Sequence, residues 1–187
     1  MNIKGKKVTL RAIERNDIPL LHEWSNDPEI NYMLGGWHFP SSMADQEKWL
    51  NSLSLTSIDQ RFSIDSQDGE LIGMANLVDI NWKDRNAFHG MLLGNKSNHG
   101  KGYGIDTIMA INRYAFEELG LKRIDTTIIS YNEPSLNVYT KKCGWQIEGE
   151  KKNYYFRKNE WWNQIIIGIT KERYLELIKK NNYWEND

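Results

Sequence analysis

Three glycines at alternate positions, Gly100, Gly102 and Gly104, lie in the stretch M-L-L-G-N-K-S-N-H-G-K-G-Y-G at residues 91–104. Glycine lacks a Cβ, so a chain built this way turns tightly and lets its backbone N–H groups approach a ligand closely. The apolar run before the loop reads as a strand, and the spacing of apolar residues after it, in I-D-T-I-M-A-I-N-R-Y-A-F-E-E-L, reads as an amphipathic helix. A strand, a glycine loop and a helix start aim unpaired N–H groups and the positive end of the helix dipole at one point. The chemistry this predicts is anion binding, of a phosphate above all. Two familiar phosphate loops do not fit. No Gly-x-x-x-x-Gly-Lys-Ser/Thr occurs, and a G-x-G-x-x-G begun at Gly100 or Gly102 ends on Ile105 or Thr107.

The elements that must hold this loop are readable in order. Residues 7–13, K-V-T-L-R-A-I, alternate as a half-buried strand, and Asn16 or Asp17 caps a helix carrying Ile18, Leu21 and Trp24 that ends or kinks near Pro28. The connector Y-M-L-G-G-W-H-F-P is aromatic and glycine-rich, a natural lid, and a serine cap then opens a second helix in S-S-M-A-D-Q-E-K-W-L-N-S-L. The segments R-F-S-I-D-S, L-I-G-M-A-N-L-V-D-I and A-F-H-G-M-L-L, separated by turns, predict an antiparallel meander. After the central helix, K-R-I-D-T-T-I-I-S should be a strand parallel to M-L-L, because strand, helix, strand in succession favours a right-handed crossover. Residues 132–142 read as a helix. The strands G-W-Q-I-E-G and W-W-N-Q-I-I-I-G-I-T flank a turn at R-K-N-E, and K-E-R-Y-L-E-L-I-K-K closes as a helix. The whole of residues 1–187 is expected to form one domain of mixed α/β class.

Composition removes several functions. The chain has 24 Lys+Arg against 25 Asp+Glu and a net charge of −1, without the basic excess that nucleic-acid binding needs. The single Cys143 rules out an internal disulfide framework and a multi-cysteine zinc site, so no metal is expected, and it suits a reducing cytoplasm. No signal peptide is read at the N-terminus, and no stretch approaches the roughly 20 apolar residues of a bilayer span. Eight Trp and nine Tyr exceed what a core of this size requires, so some should line a pocket or an interface.

The segment H-G-K-G-Y-G fits the pyrophosphate loop of acyl-CoA-dependent N-acetyltransferases, Gln/Arg-x-x-Gly-x-Gly/Ala, with His99 in the first position. With L-R-A-I-E-R-N-D before it and N-E-P-S-L-N-V-Y-T-K-K-C-G-W after it, the chain resembles the GNAT superfamily from residue 7 to about residue 170, and within it the branch of spermidine and ribosomal-protein acetyltransferases. The resemblance implies a mixed, mostly antiparallel twisted sheet with helices on both faces, splayed between its fourth and fifth strands. It implies acetyl-CoA as cosubstrate, bound by His99, Gly100, Lys101, Gly102, Tyr103 and Gly104 at the pyrophosphate. Met91, Leu92 and Leu93 would pair with the pantetheine amides, and Asn132 would contact the cofactor arm.

Acetyl transfer to an amine needs an oriented thioester, a neutral amine and an acid for the leaving thiolate. Tyr139 matches the family's general acid; a phenol of pKa about 10 stays protonated at neutral pH. The family's usual carboxylate on the strand is replaced by Phe88, leaving Asp79 and His89 as candidate bases. Glu47, Trp37 and His38, with Asp79, are the residues expected to meet the acceptor. The implied acceptor is a polyamine, an amino sugar, an aminoglycoside or a peptide N-terminus. A homodimer through the aromatic C-terminal hairpin is compatible with this branch; nucleic-acid and membrane partners are not expected. Phe88 leaves an alternative open, a catalytically silent acyl-CoA-binding sensor or interaction module.

Overall fold

The computed structural model describes residues 1–36 and 39–184. Eight strands form one sheet: β1 Ile3–Lys4, β2 Val8–Arg11, β3 Gln60–Ser66, β4 Leu71–Asn81, β5 Asn86–Leu93, β6 Arg123–Ile129, β7 Gln146–Arg157 and β8 Glu160–Thr170. Their spatial order is β1-β2-β3-β4-β5-β6-β8-β7, and every neighbouring pair is antiparallel except β5 and β6. The helices are α1 Ile18–Asn26, α2 Pro28–Met33, α3 Met43–Ser52, α4 Tyr103–Arg113, α5 Glu133–Asn137 and α6 Lys171–Asn181.

Strand alternation divides these helices between two faces. On β5, Leu92 packs with Trp24 of α1 and with Trp49 and Leu50 of α3. Met91 and Leu93, pointing the other way, join Ile108, Met109 and Ile111 of α4 and Tyr174 of α6 in the main core.

Local chemistry sets the helix starts. Asp27 accepts from the N–H groups of Glu29 and Ile30, and Pro28 takes the first position, so α2 is a separate short helix where the sequence predicts only an end or kink. Ser42 and Asp45 cap α3 reciprocally. The helix predicted over residues 132–142 is α5 followed by a π-helical turn, Val138–Lys142. The strand β1, hydrogen-bonded to β2, lies ahead of the first strand predicted, so the fourth and fifth strands of the expectation are β5 and β6 here.

Candidate active site

The sheet opens between its two parallel strands. β5 and β6 pair only through Asn86↔Arg123, Ala87↔Ile124 and Phe88↔Asp125. Beyond that point β5 stays with β4 as far as Leu93↔Gly73, while β6 stays with β8 as far as Ile129↔Gln164. The facing edges of residues 89–93 and 126–129 therefore have no strand partner between them. Backbone N–H and C=O groups are obligatory hydrogen-bonding groups, so such a gap suits a ligand carrying amides of its own.

An aromatic wedge fills the closed end of the gap. The ring of Tyr139 lies 5.9 Å from that of His89 and 5.0 Å from that of Trp145, and His89 and Trp145 are 6.2 Å apart. His89 is the first residue past the last β5–β6 pair, and it is fully buried. Its Nδ1 is 2.8 Å from the carbonyl oxygen of Asn76. A carbonyl only accepts, so Nδ1 carries the proton and Nε2 keeps its lone pair, buried and without a partner among the described residues. Burial pulls the imidazole down to about 4, leaving it neutral at pH 7 and weakly basic. Tyr139 is 4% exposed, and burial, with a smaller contribution from Cys143, pushes its phenol far above the ordinary 10. Burial likewise pushes the Cys143 thiol up to about 12, so it is no nucleophile.

At the open end stands the glycine loop. A short 3-10 turn, Lys96–Asn98, leads to Gly100 at φ 77° and Gly102 at φ 88°, the left-handed region that favours glycine. Gly102 is the N-cap of α4, and the first helical bond runs from the Asp106 N–H to the Gly102 carbonyl, 3.0 Å. The N–H groups of Tyr103, Gly104 and Ile105 meet no acceptor among the described residues. They form a cradle at the positive end of the helix dipole, and nothing lies within 4 Å of where a Cβ on Gly100 would stand. The cradle thus fits a pyrophosphate.

Two ties hold the loop. The Lys7 ammonium donates to the Lys101 carbonyl at 2.9 Å. The carboxylate of Asp106, 2% exposed, accepts from the backbone N–H groups of Lys6, Lys7 and Val8 at 3.0, 2.6 and 3.0 Å and from the Tyr183 hydroxyl at 3.0 Å. A cleft of about 260 Å³ lined by Lys6, Lys7, Gly102 and Tyr183 adjoins this point. Asp106 and Lys7 were not among the expected site residues; a lone carboxylate among apolar residues of α4 was the available signal.

The short helix α2 crosses the mouth of the gap. At one end Glu29 pairs with Lys96, just after β5, at 2.5 Å. At the other, Tyr32 stacks on Tyr131, just after β6, with ring centroids 4.5 Å apart and planes within 10°. The Tyr131 hydroxyl donates to the Tyr32 carbonyl, and the Asn132 amide donates to the Met33 carbonyl at 3.1 Å. Asn132 also caps α5, accepting from the Ser135 N–H at 3.2 Å.

The structure thus gathers Tyr139, His89, Met91, Leu92, Leu93, the loop from His99 to Gly104, and Asn132 around one opening. Other expected residues are placed differently. Asp79 sits exposed in a bulge between Val78 and Asn81, at φ 52°, its N–H donating to Asp59 at 2.9 Å. That bulge lies toward the end of β4 that faces Asn86, where β5 and β6 are still paired. Glu47 on α3 pairs with Arg15. Trp37 and His38 lie outside the described residues. Phe88 is half-buried on the opposite side of β5 from His89. Among the described residues no cluster of His, Cys, Asp and Glu could hold a metal, and no helix is long and apolar enough to cross a membrane.

Comparison with known proteins fits this geometry. A family model described as Acetyltransferase (GNAT) domain matches residues 10–166. The SPbeta prophage-derived uncharacterized N-acetyltransferase YokL of Bacillus subtilis (strain 168) is 30% identical over 170 residues, which cover 91% of this chain and 93% of that protein. The spermidine N(1)-acetyltransferase of Vibrio cholerae is 26% identical over 172 residues, covering 91% and 97%. The crystal structure of spermidine N-acetyltransferase from Vibrio cholerae in complex with CoA and spermine superposes with a TM-score of 0.83 at 25% identity, covering 90% of this chain and 98% of that one.

Proposed function

The chain belongs to the GNAT family of acetyltransferases, and from that premise we propose that it moves acetyl from acetyl-CoA to a primary amine of a small molecule or a peptide N-terminus, with Tyr139 as the general acid. It is an acetyl-CoA-dependent N-acetyltransferase of the GNAT type. What carries the finer reading is one juxtaposition: the open edges of β5 and β6 run from the N–H cradle of α4 down to the buried phenol of Tyr139.

Each of the chain's own groups has a task. The N–H groups of Tyr103, Gly104 and Ile105 bind the pyrophosphate, and the free edge of residues 89–93 orients the pantetheine arm and lends an N–H to the thioester oxygen. The amine nitrogen attacks the thioester carbon, forming the C–N bond as the C–S bond breaks. Tyr139 donates its hydroxyl proton to the departing sulfur, the proton lost by the amine passes to water, and the phenol regains a proton from water, which closes the cycle. Burial that holds the phenol protonated also disfavours a bare thiolate there, so the proton is wanted where it is available.

Among the described residues no carboxylate stands ready as base: Asp79 lies exposed in its bulge and Glu47 pairs with Arg15. Phe88 fills the position where relatives carry one, and the low basicity of buried His89 makes it a neutral neighbour that positions Tyr139. The amine must therefore reach the gap unprotonated. A homodimer through the C-terminal hairpin belongs to the same proposal, supported by Tyr154, Phe156 and Trp161, which are 50%, 50% and 60% exposed. So does a cytoplasmic location.

Phe88 and the weak base support a second reading, a catalytically silent acyl-CoA sensor. Release of CoA thiol from acetyl-CoA across an amine panel separates the two. Amine-dependent release supports transfer; thermal protection by CoA with no release for any amine supports the sensor.

A further inference from the structure

The turn after α6 reaches back to the first turn of α4. Asn182 ends α6 in the left-handed region, φ 46°, and the Tyr183 N–H donates to the Ile178 carbonyl at 3.2 Å, which swings the chain toward α4. The Tyr183 hydroxyl then donates to Asp106 Oδ1 at 3.0 Å, beneath the Lys6 ammonium, which lies 5.1 Å from the centre of the Tyr183 ring. Next to it, the Trp184 indole N–H donates to the Tyr174 hydroxyl at 2.9 Å, and the Arg113 guanidinium lies 3.7 Å from the centre of the Trp184 ring. Arg113 also donates to the Lys4 carbonyl. Asp106 in the first turn of α4 and Arg113 in its last, about two turns apart, thus each meet both the β1–β2 segment and the turn after α6. Gly5 makes the approach possible, because a Cβ there would overlap the Asp106 carboxylate.

Resting on the acyl-CoA reading above, we propose that Tyr183 is a positioning residue of the cofactor site: acting through Asp106, it sets the aim of the N–H cradle and with it the affinity for CoA. Asp106 directly follows Ile105, the last cradle N–H, and its own N–H makes the first helical bond, to the Gly102 carbonyl. Its carboxylate fixes residues 6–8, and Lys7 of that segment holds the Lys101 carbonyl of the loop. A shift of Asp106 therefore moves the helix turn that supplies the N–H groups and the loop in front of it together. The carboxylate is saturated: Oδ1 accepts from the Lys6 N–H and the Tyr183 hydroxyl, Oδ2 from the Lys7 and Val8 N–H groups. At 2% exposure Asp106 has little access to water, so a donor that is removed is not replaced, and bonds to a buried charge are the strong ones. Loss of the hydroxyl leaves Oδ1 with one donor and lets the carboxylate turn. Coupling between two sites is reciprocal, so CoA on the cradle in turn holds the turn after α6 in place.

The test uses the full chain and CoA, with calorimetry for affinity and hydrogen exchange for the turn. Tyr183→Phe keeps the ring beneath Lys6 and removes only the hydroxyl; the Kd for CoA is expected to rise about fivefold or more, the lower end of ordinary coupling between sites. Trp184→Phe controls for a merely structural role, since it breaks the bond to Tyr174 and leaves the Tyr183 hydroxyl on Asp106. Its Tm should fall while its Kd for CoA stays within about twofold of the parent's. In an Asp106→Asn background, which keeps the size of the side chain and removes its charge, Tyr183→Phe should add less than about twofold, because residues that act through one another are not additive. Saturating CoA should slow exchange of the Tyr183 amide in the parent by about fivefold, and by less in Tyr183→Phe. An unchanged Kd in Tyr183→Phe, an equal rise in Trp184→Phe, a full additional rise in the Asp106→Asn background, or exchange in the parent indifferent to CoA overturns the proposal and leaves acyl-CoA binding standing. No binding of CoA by the parent overturns the acyl-CoA reading and this proposal together.

Discussion

His89 and Tyr139 face one another at the point where the sheet parts, their rings 5.9 Å apart and tilted by 58°. Both are buried, neither is charged at neutral pH, and they come from β5, one edge of the gap between β5 and β6, and from the turn after α5. The pair therefore ties the donor of a proton to the strand that orients the thioester.

Replacing the phenol tests its part in the chemistry. Tyr139→Phe keeps the ring and its packing on Trp145 and removes the proton. General acid assistance contributes roughly 10²–10⁴-fold, so kcat is expected to fall by about 10²-fold or more, with the dissociation constant for acetyl-CoA unchanged within about twofold, as read by steady-state kinetics and calorimetry. Full activity in the variant would remove Tyr139 from the mechanism.

His89 should make the fold acid-sensitive. Burial lowers its pKa to about 4 from the ordinary 6.5, so between those values the unfolded chain holds a proton that the folded chain does not. Stability is fully present above pH 6.5 and declines as pH falls through this window, by about 3 kcal/mol at pH 4. His89→Phe is expected to flatten that slope in urea titrations at stepped pH; an unchanged slope would show that His89 does not set it.

The loop glycine at the N-cap of α4 is open to a similar test. Gly102 has φ 88°, and a Cβ there would stand 3.3 Å from the Lys7 ammonium. A branched residue in the left-handed region costs roughly 1–2 kcal/mol. Gly102→Val should lower stability by about that much and weaken CoA binding at least tenfold by tilting the cradle N–H groups; CoA affinity equal to the parent's would separate the loop from the pyrophosphate.

Asp106 holds the N-terminal turn to α4. Asp106→Ala leaves three backbone N–H groups without their shared acceptor. Hydrogen bonds to a charged group are each worth about 1.5–3 kcal/mol, so a loss of about 3 kcal/mol or more is expected, a fall in Tm of roughly 6–12 °C for a chain of this size. A Tm within about 2 °C of the parent's would show that the turn is held by other contacts.

Much of this arrangement was legible in the residues. The glycine loop betrays itself locally, because positive φ and a helix start demand particular residue types, and the parallel β5–β6 pair follows from strand, helix, strand order. Other features depend on register. Alternation puts His89 on the same side as Ala87 and Met91, but only the pairing of β4 with β5 brings its Nδ1 to the Asn76 carbonyl. Asp79 reads as one more strand residue until the bulge turns it to φ 52° and exposes it. The helix α2 was signalled by Asp27 and Pro28, yet six residues are too few to show a helical period. That it spans the gap from Lys96 to Tyr131 is a tertiary fact which no local pattern encodes.

The most direct test is to follow CoA thiol release and acceptor mass together, with purified protein, acetyl-CoA and one amine at a time, for the parent and for Tyr139→Phe. The expected result is one acetyl group gained per CoA released for at least one amine, with the rate cut about 10²-fold in the variant. CoA protection against heat with neither release nor a mass gain for any amine would contradict acetyl transfer at this site.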